Sequence, residues 1–341
     1  MSFFLGQNKA KKVPEQAETD DHITEPIFVA GSSVPELKDL SEGSRLEAAQ
    51  MWSQCEASSF NLRIGPNYKS TGAKAPSPNE LYDLVGIDFL QSRKRIQHIG
   101  EKVIFPPEWT EGYVSSDGGS GDDAVEFRDV LDKQHSHIPT LLIVNTQFPR
   151  EFSSSMFGEA KKDGDGWNLV HYFRVKKSTL AELENFETAS NAVKLFAKYY
   201  REAPDSYKKS NSTWHGRFKL MSRCENINEF GLPSFITSYN AKPCLIRNTL
   251  MMYHGETDHS YLEIDVNVHE FGSLPKKALG ILMDKFAGMR VSTGFCIESR
   301  EDEEMPETLL GLSTTYKPDY KAAVHWDEVH AAREPGQGLK E

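Results

Sequence analysis

The sequence predicts an α+β fold, with an antiparallel-dominated sheet and a few long helices packed on it as a single domain. Three observations lead there. Short apolar, β-branched runs recur between turn residues. Only three stretches carry apolar residues at helical spacing. The 341 residues are 38% hydrophobic and 26% charged, enough to bury a core and too apolar for wholesale disorder.

Residues 1–25 are polar and aperiodic and read as a disordered leader, 26–325 as the domain, and 326–341 as a flexible tail. The first helix is expected from Ser77-Pro78-Asn79-Glu80, where Ser caps, Pro takes the first turn and Glu closes a capping box. Leu81, Leu84, Val85 and Phe89 would form its apolar stripe. Residues 115–123 (SSDGGSGDD) read as a flexible acidic loop. Strands follow at Pro139–Phe148 and Trp167–Val175. Thr179 with Glu182 suggests a second capping box, heading a helix through Leu183, Phe186, Val193, Phe196 and Tyr200 to Ala203-Pro204. Arg217–Leu220 and Pro243–Tyr253 read as strands, the latter leading into a turn at 254–258. Tyr261–Val268 alternates cleanly: Leu262, Ile264, Val266 and Val268 share one face, Tyr261, Glu263, Asp265 and Asn267 the other. A third helix runs from Ser273 to Gly288, then a strand from Arg290 to Ile297. Pro306 and Glu307 suit a first helical turn.

The formal net charge of -11 argues against nucleic acid as the main partner. No stretch approaches the ~20 apolar residues of a membrane helix, and the first residues lack the ~7 to 15 of a secretory signal. A cytoplasmic protein is therefore expected. Cys55, Cys224, Cys244 and Cys296 lie far apart without a CxxC, and read as buried free thiols. The sequon Asn211-Ser212-Thr213 is expected to go unused.

Several residue sets could carry chemistry. Arg63, Tyr68, Lys69 and Lys74 lie in a Gly-, Pro- and Ser-rich loop that could present cations and amides to a phosphate headgroup, or form an ordered turn. Glu263 and Asp265 project together and could hold a metal or act as a base; equally, they could pair with Arg217 and Lys219 on a neighbouring strand. Asn145 and Gln147 share one side of an apolar strand, to bind a ligand or to satisfy nearby backbone. His135 and His137 have metal-compatible spacing without a third ligand, and His325 and His330 offer no more. Asp163-Gly164-Asp165-Gly166 imitates a calcium loop, but its twelfth position is Arg174, so a turn is expected. Glu301, Asp302, Glu303 and Glu304 could dock a basic protein partner or be a solvated run. No catalytic residue, metal site or cofactor is indicated.

Several ordered pieces carry a resemblance: FNLRIGPNYKSTGAKAPS, ELYDLVGIDFLQSRKRIQHIG, IPTLLIVNTQFP, RFKLM, KPCLIRN, SYLEIDVNV and GFCIESREDEEMPETLLG. Together they resemble the C-terminal domain of the plant "enhanced disease resistance" proteins that carry PH and START domains, over roughly residues 50–325. The sequence before residue 50 is too short for either companion domain. The resemblance implies lipid- or membrane-linked work inside the cell and transfers no catalytic residue. The ranked expectations are a lipid-binding or peripheral membrane module, a protein-interaction scaffold using the acidic segments, and an enzyme built on Glu263, Asp265 and His254.

Overall fold

Alternation of side chains decides the architecture. The structure is a computed structural model and describes residues 28–110, 137–152, 162–206, 214, 216–255 and 261–331. The expected leader, acidic loop, His135, the sequon and the residues after 331 lie outside that range. The strands are β1 (Phe28–Val29), β2 (Met51–Ser53), β3 (Asn61–Arg63), β4 (Lys74–Pro76), β5 (Tyr82–Ser92), β6 (Val103–Ile104), β7 (Leu141–Pro149), β8 (Gly166–Val175), β9 (Phe218–Cys224), β10 (Pro243–Leu245), β11 (Leu250–His254), β12 (Tyr261–Asn267), β13 (Arg290–Ile297), β14 (Leu309–Tyr316) and β15 (Val324–His325). A six-stranded sheet has the order β11-β12-β7-β8-β5-β15, and a five-stranded one the order β10-β9-β13-β14-β2. Most pairs are antiparallel; β12 with β7, β15 with β5 and β1 with β6 are parallel.

One apolar core joins the two sheets. Leu142, Val144, Phe173, Leu262 and Ile264 of the larger sheet meet Phe218, Phe295 and Leu310 of the smaller, together with Val193, Phe196 and Ala197 from the helix Asn191–Ser206. The other face of the larger sheet is covered by short elements, β1 and β6 among them, and the turns between them. There Phe28, Ile96, Ile99, Val103 and Trp109 pack on Leu141, Ile143, Tyr172 and Tyr261.

The expected first helix is strand β5. A bulge between Leu84 and Gly86 sets Val85 aside and moves the later residues by one, so the alternation imitates a helical stripe. Interior Gly86 weakens a helix by about 1 kcal/mol relative to Ala, and Ser77 instead accepts the Leu309 N–H. The second expected helix is broken into Lys177–Leu183, a short turn at Phe186–Thr188, and Asn191–Ser206. Its capping box does not form: Thr179 donates to the Leu81 carbonyl, and Glu182 accepts the Ser190 N–H. The third expected helix spans Ser273–Met283 with a further turn at Phe286–Gly288. Pro306 and Glu307 lead into β14 and not into a helix. Pro243–Tyr253 divides into β10 and β11, which join different sheets. Residues 326–331, expected as tail, form a helix whose Trp326 meets the Phe28 ring at 5.7 Å.

Candidate functional site

Two polar constellations arise, on opposite sheets. The first is a charged seam on the smaller sheet. The hairpin of β3 and β4 sets Arg63 opposite Lys74, and the turn beyond Arg63 becomes a one-turn helix, Tyr68–Thr71. The Arg63 guanidinium lies 4.7 Å from the Tyr68 ring centre and reaches Glu298 at 3.2 Å and Glu307 at 3.8 Å. Lys69 meets Glu301 at 3.2 Å, and the Asn67 N–H donates to both Asp302 oxygens at 3.0 Å. Arg217 donates to both Glu304 oxygens at 3.0 Å while stacking 4.3 Å over the Trp214 ring. Lys219 and Glu307 are fully buried and paired. The basic loop and the acidic run, two separate candidates in the sequence, therefore close on each other. Lys74 remains exposed.

This seam overturns the expected pairing of Arg217 and Lys219 with Glu263 and Asp265. Arg217 immediately precedes β9 and Lys219 lies within it, in the smaller sheet, whereas β12 lies between β11 and β7 in the larger. Backbone hydrogen bonds hold Glu304 strongly in place: it accepts the Arg300 N–H at 2.7 Å, and these bonds with Arg217 keep its carboxyl low although burial opposes them.

The second constellation lies on the outer face of the larger sheet. Parallel register sets Asp265 beside Asn145 and Asn267 beside Gln147. The structure thus unites four predicted residues, Asn145, Gln147, Glu263 and Asp265. Their face is buried, not solvated. Residues 95–101 lie across it. Glu263 accepts the Ile99 and Gly100 N–H groups, each at 2.8 Å. Asp265 accepts from Asn145 Nδ2 at 2.9 Å and from the His98 N–H at 3.4 Å. Asn145 and Gln147 both donate to the Ile96 carbonyl, at 2.8 and 3.0 Å, and Arg95 donates to Gln147 at 2.9 Å. Gly100 permits this approach, since a Cβ there would meet the Tyr261 ring at 2.7 Å.

Burial is the main cause of the acidities here. It pushes Glu263 well above the ordinary carboxyl range, reinforced by the neighbouring Asp265 charge and opposed by the two backbone N–H groups. Asp265 is raised to about 6 by burial. One proton is therefore held between two carboxyls at neutral pH. Burial lowers His98; its Nε2 lies 2.9 Å from the Tyr261 hydroxyl and its Nδ1 3.1 Å from Glu101, an arrangement that fits Nδ1 as donor and Nε2 as acceptor. The His98 ring stacks on Tyr253 at 4.3 Å. A third buried carboxyl, Asp88 on β5, accepts the Gly31 and Ser33 N–H groups at 2.7 and 2.9 Å, and burial raises it too.

His98 takes the place expected of His254. His254 stands opposite Leu262, on the other face of the sheet, and its ring lies 4.7 Å from Tyr200. No periodicity marks His98; the only sequence signal is the turn residue Gly100 after it. His137 stacks on Phe186 at 4.2 Å, and His325 lies in β15. Asp163 shapes a turn, accepting the Arg95 and Gly164 N–H groups at 2.8 Å. Cys224 and Cys296 are buried thiols, whereas Cys244 is exposed and Cys55 half-buried.

Residues 52–317 match the family model described as Protein ENHANCED DISEASE RESISTANCE 2, C-terminal. The chain belongs to this family. The match runs from β2 to the residue after β14, so the enhanced disease resistance region contains both polar constellations. No curated protein and no solved structure compared with the chain matches it. Among the described residues of this family member, no group of three or more His, Cys, Asp and Glu is placed to hold a metal. No helix among them is long and apolar enough to cross a membrane.

Proposed function

We propose that this enhanced disease resistance domain is a non-catalytic module that associates with lipid, peripherally on an intracellular membrane facing the cytoplasm. The observation that carries the non-catalytic half is the employment of its polar groups. Glu263, Asp265, Asn145 and Gln147 hold backbone groups of residues 96–100. Arg63, Lys69, Arg217 and Lys219 hold the chain's own carboxylates. The lipid half rests on the setting the family resemblance implies. Native mass spectrometry of gently purified full chain, with an organic extract, tests it beside co-sedimentation with vesicles of varied headgroup. A stoichiometric lipid or vesicle association supports the reading; a lipid-free mass together with indifference to every vesicle removes it. Protein docking through Glu301, Asp302, Glu303 and Glu304 is the weaker reading, because Glu301, Asp302 and Glu304 already face Lys69, Asn67 and Arg217.

One observation favours acid–base chemistry as a second reading: Asp265 near 6, next to a carboxyl that keeps its proton, under His98 and Tyr253. Access decides it. If the 98–100 turn lifts in the native protein, a water-soluble carbodiimide with an amine labels Glu263 or Asp265. Labelling confined to the denatured chain removes the enzyme reading.

A further inference from the structure

Acidic residues number 50 in the chain, yet none occurs from Phe230 to Gly255. The charged side chains in that stretch are Lys242 and Arg247. Its first half is an insert between β9 and the edge strand β10. A single helical turn, Ser234–Thr237, is anchored by buried Ile236. Phe235 lies in that turn, and Tyr239 follows just beyond its cap at Ser238. They are 39% and 67% exposed, and Tyr239 is the most exposed large apolar side chain described. The Lys242 ammonium lies 5.6 Å from the Tyr239 ring centre.

The insert is held firmly, so these rings are not exposed through looseness. Asn240 bonds the Cys224 backbone in both directions, at 2.8 and 3.1 Å. Asn226 donates to the Gly288 carbonyl and accepts the Arg290 N–H, both at 3.0 Å. The acids just before the insert are engaged elsewhere: Glu225 with Arg223 and Arg290, and Glu229 with Asn226. A phenyl ring, a phenol and an ammonium on one rigid projection match the layered chemistry of a bilayer surface. Apolar rings suit the acyl boundary, the phenol suits the headgroup level, and lysine suits lipid phosphate.

We infer that the 230–245 insert, led by Phe235, Tyr239 and Lys242, is the face by which this chain docks on an anionic bilayer. The inference rests on the lipid-associated reading above and names its surface. It also explains how a chain of net charge -11 approaches such a membrane: contact is confined to a stretch that carries no carboxylate. The basic loop at 63–74 is not that surface, since its Arg63 and Lys69 are closed onto Glu298 and Glu301.

Flotation of the full chain with phosphatidylcholine vesicles containing phosphatidylserine, against phosphatidylcholine alone, tests it. Wild type is expected to float with the anionic vesicles. Phe235→Ser/Tyr239→Ser/Lys242→Glu is expected to weaken this by about tenfold or more. Leu274→Ser, another exposed apolar position, should float as wild type does. If wild type floats and the triple variant floats equally, the surface is wrong while the lipid reading stands. The surface is likewise wrong if Leu274→Ser loses as much as the triple variant. If wild type floats with neither vesicle, the inference falls, and the face is left for a protein partner. Should the triple variant lose its wild-type melting profile, Tyr239→Ser alone carries the comparison.

Discussion

Glu263 illustrates how much one side chain does here. Both oxygens accept backbone N–H groups, so Glu263→Gln turns an amide NH2 against a buried donor. That unsatisfied contact should cost roughly 1 to 3 kcal/mol in urea unfolding. Asp265 adds a pH dependence. Its folded pKa of about 6 lies above the ordinary 3.8, so its contribution is fully present below about 4 and is lost as pH rises through about 6. His171 and His269 run the other way. Burial holds both down to about 4 against an ordinary 6.5. Their contribution is complete above about 6.5 and is lost as pH falls through about 4. Asp265→Asn removes the first dependence and leaves the second. Its melting temperature should therefore fall more steeply than wild type's between pH 6.5 and 4, read from a series of thermal melts. The sequence showed that Glu263, Asp265, Asn145 and Gln147 share faces, because a strand's period of two is local information. It did not show His98, which reaches Asp265 through a turn whose placement depends on a distant strand.

Elements with unbroken alternation were legible, and those with a local defect were not. β12 and β13 were read almost to the residue, whereas the bulge at Leu84–Gly86 disguised β5. Pro306 and Glu307 suit a helical turn locally, yet they lead into β14, where Leu309–Tyr316 is buried throughout and pairs with two strands. Gly86 has a packing reason beyond the bulge: a Cβ there would approach the Trp109 ring to 2.7 Å. Gly86→Ala should cost about 1 to 3 kcal/mol by overpacking, measurable in chemical denaturation. The charged seam separates into two regimes. Lys69→Ala should cost less than about 1 kcal/mol, because its partner Glu301 is solvated. Lys219→Met takes the buried cation from the Glu307 carboxylate, leaving only Arg63 at 3.8 Å, and should cost up to about 3 to 5 kcal/mol. Adding Glu307→Leu should recover part of that loss, and only part, since Glu307 also accepts the Ser299 N–H. A double-mutant cycle reads the difference.

At the scale of the molecule, the family match stops short of both ends of the described chain. Phe28 lies before it and Trp326 beyond it, and the two rings meet at 5.7 Å on the outer face of the larger sheet. Truncating either to Ala should give coupled losses, with an interaction energy of about 0.5 to 1.5 kcal/mol in a cycle. No local pattern announces such a contact, which joins residues almost 300 positions apart; it arises because β15 and β1 bring both ends to the same sheet face. That face also differs in kind from the inter-sheet core. Its cover is made of short elements and turns, secured by Asp88 and Glu263, which accept two main-chain N–H groups each, and Asp265, which accepts one. The amides of Gly31, Ser33, Ile99 and Gly100 consequently have carboxyl partners where a strand amide would have a ladder partner. In deuterium these amides should exchange together, faster than those of β7 and β8, and speed up as the carboxyls change protonation while the central strands stay protected. The outer cover would then be an independent cooperative unit, able to lift and reseat over a folded sandwich.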